Sequence, residues 1–97
     1  MKITSFEDVE VEGYEICFIH SGCSDKADVI ILDINSIFDY EEKKHDLCAD
    51  KYTSIAIIDD PSDYDAFKNF GIDAWIKREN VDQLHELLDE IKKRMGL

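Results

Sequence analysis

The feature that most constrains this chain is an uninterrupted apolar run at residues 29–32 (Val-Ile-Ile-Leu), followed directly by the carboxylate of Asp33. A run without polar alternation is typical of a strand that is buried on both faces of a parallel sheet. A second run of this kind at residues 54–58 (Ser-Ile-Ala-Ile-Ile) ends in Asp59 and Asp60. Ligands of open α/β sheets bind at the carboxyl ends of the strands. We therefore expect these three carboxylates to meet at one functional edge.

Composition limits what the chain can bind. Its 97 residues suit a single domain spanning residues 1–97, and 23 Asp and Glu against 11 Lys and Arg give a net charge of −12. This charge repels nucleic-acid phosphates and anionic membranes, so the expected partner is a basic protein surface or a cation. The sequence contains no membrane-spanning pattern and no signal peptide, and its three cysteines lack disulfide-type spacing. These features predict a cytoplasmic protein.

The rest of the chain alternates between strand and helix patterns, as in an α/β domain. The clearest helix follows Asp60, a suitable N-cap, with Pro61 in the first turn and Gly71 at the end. Asn80 is the expected cap of the last helix. The predicted strands are 2–11, 14–19, 28–34, 54–59 and 72–77, and the predicted helices are 38–50, 61–70 and 81–95.

The first strands are joined by links that are too short for helices. Only Glu12 and Gly13 separate strands 2–11 and 14–19, which favours a hairpin over a parallel pair. Residues 20–27 form a polar loop that is also too short for a crossover helix. The N-terminal quarter therefore departs from a regular alternation of strands and helices.

From Asp28 onward, the chain resembles the receiver domain of two-component response regulators. The likeness rests on the strand that ends in Asp33, on the helix-to-strand passage from Gly71 to Trp75, and on the amphipathic helix 81–95. It covers about 70 residues. The resemblance implies a flavodoxin-like, three-layer open α/β sheet, mostly parallel, in which the first and second helices are shortened or missing.

The resemblance also implies roles for individual residues. Asp33 matches the phosphoacceptor aspartate and Trp75 the switch aromatic. Asp59 stands where receivers place a hydroxyl at the phosphoryl site, and Arg78 stands at the position of the phosphate-binding lysine, with Lys77 one place early. A weak Mg²⁺ site is implied at the acidic pair, the phosphoacceptor and the carbonyl two residues beyond it: Glu7, Asp8, Asp33 and Asn35.

The departures from the family pattern predict a pseudo-receiver. A second carboxylate at the position of the hydroxyl would repel the phosphoryl group, by about 1 to 4 kcal/mol for charges about 4 Å apart. Asp59 is instead expected to replace the phosphoryl group as a partner of Lys77 or Arg78. The expected function is a signal-transduction or protein-interaction module, not an enzyme, that does not undergo ordinary aspartyl phosphorylation.

Two other functions remain open. One is a phosphoacceptor receiver that is modified at Asp33 with Mg²⁺. The other is a regulatory domain similar to the STAS anti-sigma antagonists, with Ser36 as the acceptor. The passage from Gly71 to Ile76 favours the receiver over the STAS domain.

Each candidate residue also has a structural interpretation. Asp33 and Asp60 can cap the turns that follow them, Lys77 and Arg78 can neutralise an acidic edge, and Trp75 can be a packing residue. The His-x-x-Cys pairs at 20–23 and 45–48 supply four zinc ligands, but the topology places them at opposite ends of the sheet.

A homodimer is the expected assembly. If the first helix is missing, helix 81–95 alone covers one face of the sheet and leaves Ile3, Phe6, Ile16 or Phe18 short of cover. A large apolar patch is unusual on a monomer. The alternative is that a hairpin at residues 2–19 folds over this face.

Overall fold

The computed structural model describes residues 1–23 and 25–97. Within these residues the chain forms five strands, three α-helices and four short 3₁₀ helices. The strands are β1 (Ile3–Ser5), β2 (Ile16–Phe18), β3 (Ala27–Asp33), β4 (Cys48–Ile58) and β5 (Ala74–Lys77). The α-helices are α1 (Ile37–Leu47), α2 (Asp63–Phe67) and α3 (Leu84–Met95), and the 3₁₀ helices are Ile19–Ser21, Ile34–Ser36, Lys68–Phe70 and Arg78–Gln83.

All strand pairs in the described sheet are parallel, in the order β2-β1-β3-β4-β5. This is the strand order of the flavodoxin-like doubly wound fold. The predicted fold class is confirmed. The predicted hairpin is wrong, because β1 and β2 run in the same direction with Ile3 opposite Ile16.

The sheet is sandwiched between two helical layers. Alternate residues of β3 and β4 point to opposite faces, as the pleat requires. On one face, Ile30 and Leu32 pack with Tyr40 of α1 and with Phe67 of α2. On the other face, strand residues pack against the apolar stripe of α3 (Leu84, Leu88 and Ile91).

Residues 6–15 form an extended crossover in place of the first helix. This crossover covers part of the sheet face on which α3 packs. Val9, Val11 and Tyr14 pack against the same apolar cluster as α3. The Tyr14 hydroxyl donates a hydrogen bond to a carboxylate oxygen of Asp89 on α3. Ile3 is consequently only 3 % exposed without any partner chain.

A disulfide closes the turn that replaces the second helix. It joins Cys17 on β2 to Cys23, which follows the 3₁₀ helix. The spacing of the cysteines did not indicate this bond, which forms because the turn brings together two thiols six residues apart. Ser24, within the predicted loop 20–27, lies outside the described residues.

The helix boundaries differ from the predictions at their ends. The first helix stops at Leu47, and β4 begins at Cys48. The second begins at Asp63 rather than Pro61, since residues 59–62 form a tight turn. A 3₁₀ helix precedes α3, so the predicted Asn80 cap is wrong. Gly71 adopts a left-handed conformation (φ 66°) and ends the second helical segment as predicted.

Candidate functional site

The carboxyl ends of four neighbouring strands bring acidic and basic side chains to one edge of the sheet. Asp33 is the last residue of β3, and Asp59 follows β4 directly. Glu7 lies two residues beyond β1, and Arg78 follows β5. We call this edge the carboxylate rim and define it by Glu7, Asp33, Asp59, Asp60, Lys77 and Arg78.

Arg78 links two carboxylates of the rim. Its Nε donates to Asp59 Oδ1 at 2.8 Å, and a terminal nitrogen donates to Asp59 Oδ2 at 3.2 Å. Its other terminal nitrogen donates to Glu7 Oε1. Because β3 lies between β1 and β4, this guanidinium clamp crosses the end of the strand that carries Asp33.

The clamp changes the acid–base properties of its members. Hydrogen bonding to Arg78 lowers the pKa of Asp59, and the two carboxylates raise the pKa of Arg78. The Glu7 side chain is 22 % exposed, and its Oε2 atom is buried without a hydrogen-bond partner in the described residues. Loss of Arg78 would therefore leave a half-buried carboxylate unpaired.

Asp33 is engaged locally rather than by the clamp. Its Oδ1 accepts hydrogen bonds from the Ser36 backbone N–H at 3.0 Å and from the Ser36 hydroxyl at 2.8 Å. The Asp33 N–H donates to Ser36 Oγ in return, at 3.0 Å. This reciprocal capping box agrees with the structural interpretation of Asp33 as a cap. No hydrogen bond to its Oδ2 occurs within the described residues.

Sequence reasoning missed Asp63, a buried carboxylate that shapes the rim. Its Oδ2 accepts from the backbone N–H groups of Asp59 and Asp60, at 3.0 and 3.1 Å. Asp60 in turn accepts from Ser62, which lowers the pKa of Asp60. The signal in the sequence was an aspartate three residues after another one, across Pro61, a spacing that suits turn capping.

The residues implied in magnesium binding have other partners or are exposed in this structure, and the implied site stays a prediction. Glu7 is occupied by Arg78 and Asp33 by Ser36, while Asp8 and Asn35 are exposed. Across residues 1–23 and 25–97, no group of three or more His, Cys, Asp or Glu residues is placed to hold a metal ion. The guanidinium of Arg78 already places one positive charge between Glu7 and Asp59.

The zinc interpretation meets a chemical obstacle. Cys23 is bonded to Cys17, so it offers no thiolate. Cys48 is 6 % exposed, and burial raises the pKa of its thiol to about 11. Both conditions disfavour the thiolate form that zinc requires.

Trp75 and Lys77 lie beside the clamp on the edge strand β5. Trp75 is 45 % exposed, and its ring lies 6.2 Å from that of Tyr64, measured between centroids. Lys77 makes no ion pair within the described residues. A cleft of about 390 Å³ lies between α2 and β5 and is lined by Ile58, Asp59, Asp60, Pro61, Tyr64, Lys77, Arg78 and Glu79.

Comparison of the chain with models of protein families, with curated proteins and with solved structures gives no match. The fold and the rim therefore define the molecule as a flavodoxin-like α/β protein with a parallel sheet and an arginine-clamped edge. None of its described helices has the length and apolar character needed to cross a membrane.

Proposed function

We propose that the protein is a receiver-like interaction module for signal transduction whose rim is bridged by Arg78 instead of by a metal ion and a phosphoryl group. The observation that carries the proposal is the bridge from Glu7 through Arg78 to Asp59. In receivers, which this chain resembles in sequence, the corresponding positions hold a metal-binding acid, a lysine and a hydroxyl. Here the residues at these three positions pair with one another, because Arg78 binds both Glu7 and Asp59.

The clamp opposes phosphorylation of Asp33 in two ways. A phosphoryl group would bring about two negative charges next to Asp59, a carboxylate where receivers have a hydroxyl donor. Magnesium binding would require Glu7 to exchange its guanidinium partner for the cation. Both costs arise from this chain's own side chains.

We also propose a non-enzymatic role and a protein partner. A cytoplasmic location stays a proposal that the Cys17–Cys23 bond does not favour, because disulfides are rare in the reducing cytosol. The net charge of −12 favours basic protein surfaces over nucleic acid. Trp75 and Tyr64 offer exposed aromatic area beside the clamp for such a contact.

The free Oδ2 of Asp33 favours one alternative, a phosphoacceptor receiver modified at Asp33. The STAS-like alternative is less well supported, because Ser36 is 8 % exposed and its hydroxyl is bonded to Asp33. The experiment below distinguishes the three functions.

Incubation with acetyl phosphate and Mg²⁺, followed by intact-mass measurement, tests the proposal. We expect the wild-type protein to gain no adduct of about 80 Da, the mass of one phosphoryl group. A matched variant, Asp59→Thr with Arg78→Lys, restores the receiver's hydroxyl and lysine and is expected to gain Mg²⁺-dependent labelling. Asp33→Asn in that background should abolish the labelling.

The opposite result has a clear meaning. A stable adduct on Asp33 of the wild-type chain would make it an ordinary phosphoacceptor and refute the proposal. A phosphate that a partner kinase places on Ser36 would instead support the STAS-like function.

A further inference from the structure

The Cys17–Cys23 disulfide lies on the edge strand β2 and the turn that follows it. Both cysteines are half-buried rather than enclosed. They line an open groove of about 710 Å³, together with Lys2, Glu15 and Asp25, which lie at the amino ends of the strands. The sulfur atoms are thus placed where a small thiol can approach, apart from the carboxylate rim.

We propose that Cys17 and Cys23 form a site of reversible thiol–disulfide exchange with low-molecular-weight thiols of the glutathione class. A thiolate attacks one protein sulfur, forms a mixed disulfide and releases the other protein sulfur as a thiolate. A second thiolate attacks the mixed disulfide and releases the oxidised low-molecular-weight disulfide. The two protein thiolates take up protons from water, so two thiols are oxidised and one protein disulfide is reduced.

The surroundings of the pair suit both oxidation states. Cys23 Sγ lies 3.5 Å from the carbonyl oxygen of Phe18, and Cys17 Sγ lies 3.8 Å from that of Gly22. After reduction, each thiol has a backbone acceptor within reach. A backbone carbonyl therefore lies near each sulfur and can accept a hydrogen bond from the thiol that reduction forms.

The state of the pair controls how firmly β2 is held. This strand has three residues, is half-buried throughout, and pairs with β1 alone at the edge of the described sheet. Within the described residues, the link from β2 to β3 contains the short 3₁₀ helix Ile19–Ser21 and no α-helix. Reduction removes the covalent closure of the turn, so β2 is expected to open locally more often.

Cys48 provides an internal control, because it is a buried thiol with a raised pKa. A thiol in this environment is unreactive as long as the fold is intact. Exchange at Cys17 and Cys23 can therefore be distinguished from unfolding in the same molecule.

Equilibration of the native protein in glutathione buffers tests the inference. The samples are alkylated at neutral pH, under native conditions, with an excess of a maleimide and measured by intact mass. We expect two adducts on reduction, with Cys48 unmodified. The oxidised fraction should change from about 0.9 to about 0.1 over a roughly 100-fold range in the ratio of squared reduced to oxidised glutathione, and oxidised glutathione should reverse the change.

Two results would contradict the inference. A pair that stays oxidised in every native buffer and is reduced only together with labelling of Cys48 would be purely structural. If oxidised glutathione never re-forms the bond between Cys17 and Cys23, the two cysteines are not a disulfide site. Either result overturns the inference without bearing on the clamp at the rim.

A second measurement tests the effect on β2. Amide hydrogen exchange at Cys17 and Phe18 should be at least about tenfold faster in the Cys17→Ser, Cys23→Ser double variant than in the oxidised protein. Amides of β4 (Ile55–Ile57) serve as the reference and should keep their protection. Equal protection of β2 in both proteins would contradict control of the strand by the disulfide.

Discussion

Arg78 is held between two carboxylates that come from opposite sides of β3, one after β1 and one after β4. Its contacts with Asp59 involve both carboxylate oxygens, an arrangement that a lysine cannot reproduce. The difference between lysine and arginine at this position therefore has a structural meaning. Arginine can bind two carboxylates at once and close the rim.

Replacement of Arg78 by alanine should destabilise the protein by about 1 kcal/mol at neutral pH, a value for partly exposed ion pairs. Lys77→Ala is the matched control and should have little effect, because Lys77 has no ion pair among the described residues. Urea unfolding of the two variants and the wild type measures the difference.

The effect of Arg78→Ala should depend on pH with a defined sign. Because the native pKa of Asp59 is below its ordinary value of 3.8, its pairing adds stability above that pH. The contribution is lost as the pH falls through the native pKa. The difference between wild type and Arg78→Ala should therefore shrink in acid, and a difference that grows in acid would contradict the clamp.

At the scale of elements, the sequence predicted the buried strands and the amphipathic α3 but not the path of the N-terminal segment. The predicted strands 2–11 and 14–19 left only Glu12 and Gly13 between them, which favoured a hairpin. The strands β1 and β2 have only three residues each, so the return path is short. Ten extended residues span up to about 33 Å, which is ample for this connection. Strand length, which the sequence pattern overestimated, decided the topology.

The hydrogen bond from Tyr14 to Asp89 ties the crossover 6–15 to α3, and Tyr14→Phe removes it. We expect a loss of about 1 kcal/mol in the free energy of unfolding at neutral pH, the usual value of a hydrogen bond. Tyr64→Phe is the control, because that hydroxyl makes no hydrogen bond within the described residues and its ring is partly exposed. Equal losses in the two variants would contradict the role of the contact.

The same contact should weaken at high pH. The hydrogen bond to Asp89 raises the pKa of Tyr14 above 10.0, so the bond stabilises the fold fully below the unfolded pKa. Its contribution disappears as the pH rises through the native pKa, when the phenol ionises. Unfolding measurements of wild type and Tyr14→Phe at neutral and strongly alkaline pH should converge at the alkaline end.

At the scale of the molecule, the candidate site was predictable in its location and not in its pairing. Strand ends after apolar runs placed Asp33 and Asp59 at one edge, because parallel strands end together. Glu7 and Arg78 are 71 residues apart, and no local pattern specifies their contact. The Cys17–Cys23 bond could not be predicted from the sequence either, because its formation depends on the turn between β2 and β3.

The fold also bears on whether the protein is a monomer or a dimer. The sequence favoured a dimer because Ile3 and Phe6 were expected to lack cover, but they are only 3 % and 8 % exposed within one chain. Val9, Val11 and Tyr14 of the crossover pack in the cluster of Ile3, whereas Phe6 lies in the cluster on the opposite face of the sheet. Ile16 and Phe18 are half-buried, which leaves a small apolar area for a partner.

We therefore expect light scattering at high micromolar concentration to give the mass of one chain, 11.2 kDa, and Phe18→Asp to leave it unchanged. A mass twice as large that Phe18→Asp reduces to that of one chain would establish the dimer through the N-terminal strands instead.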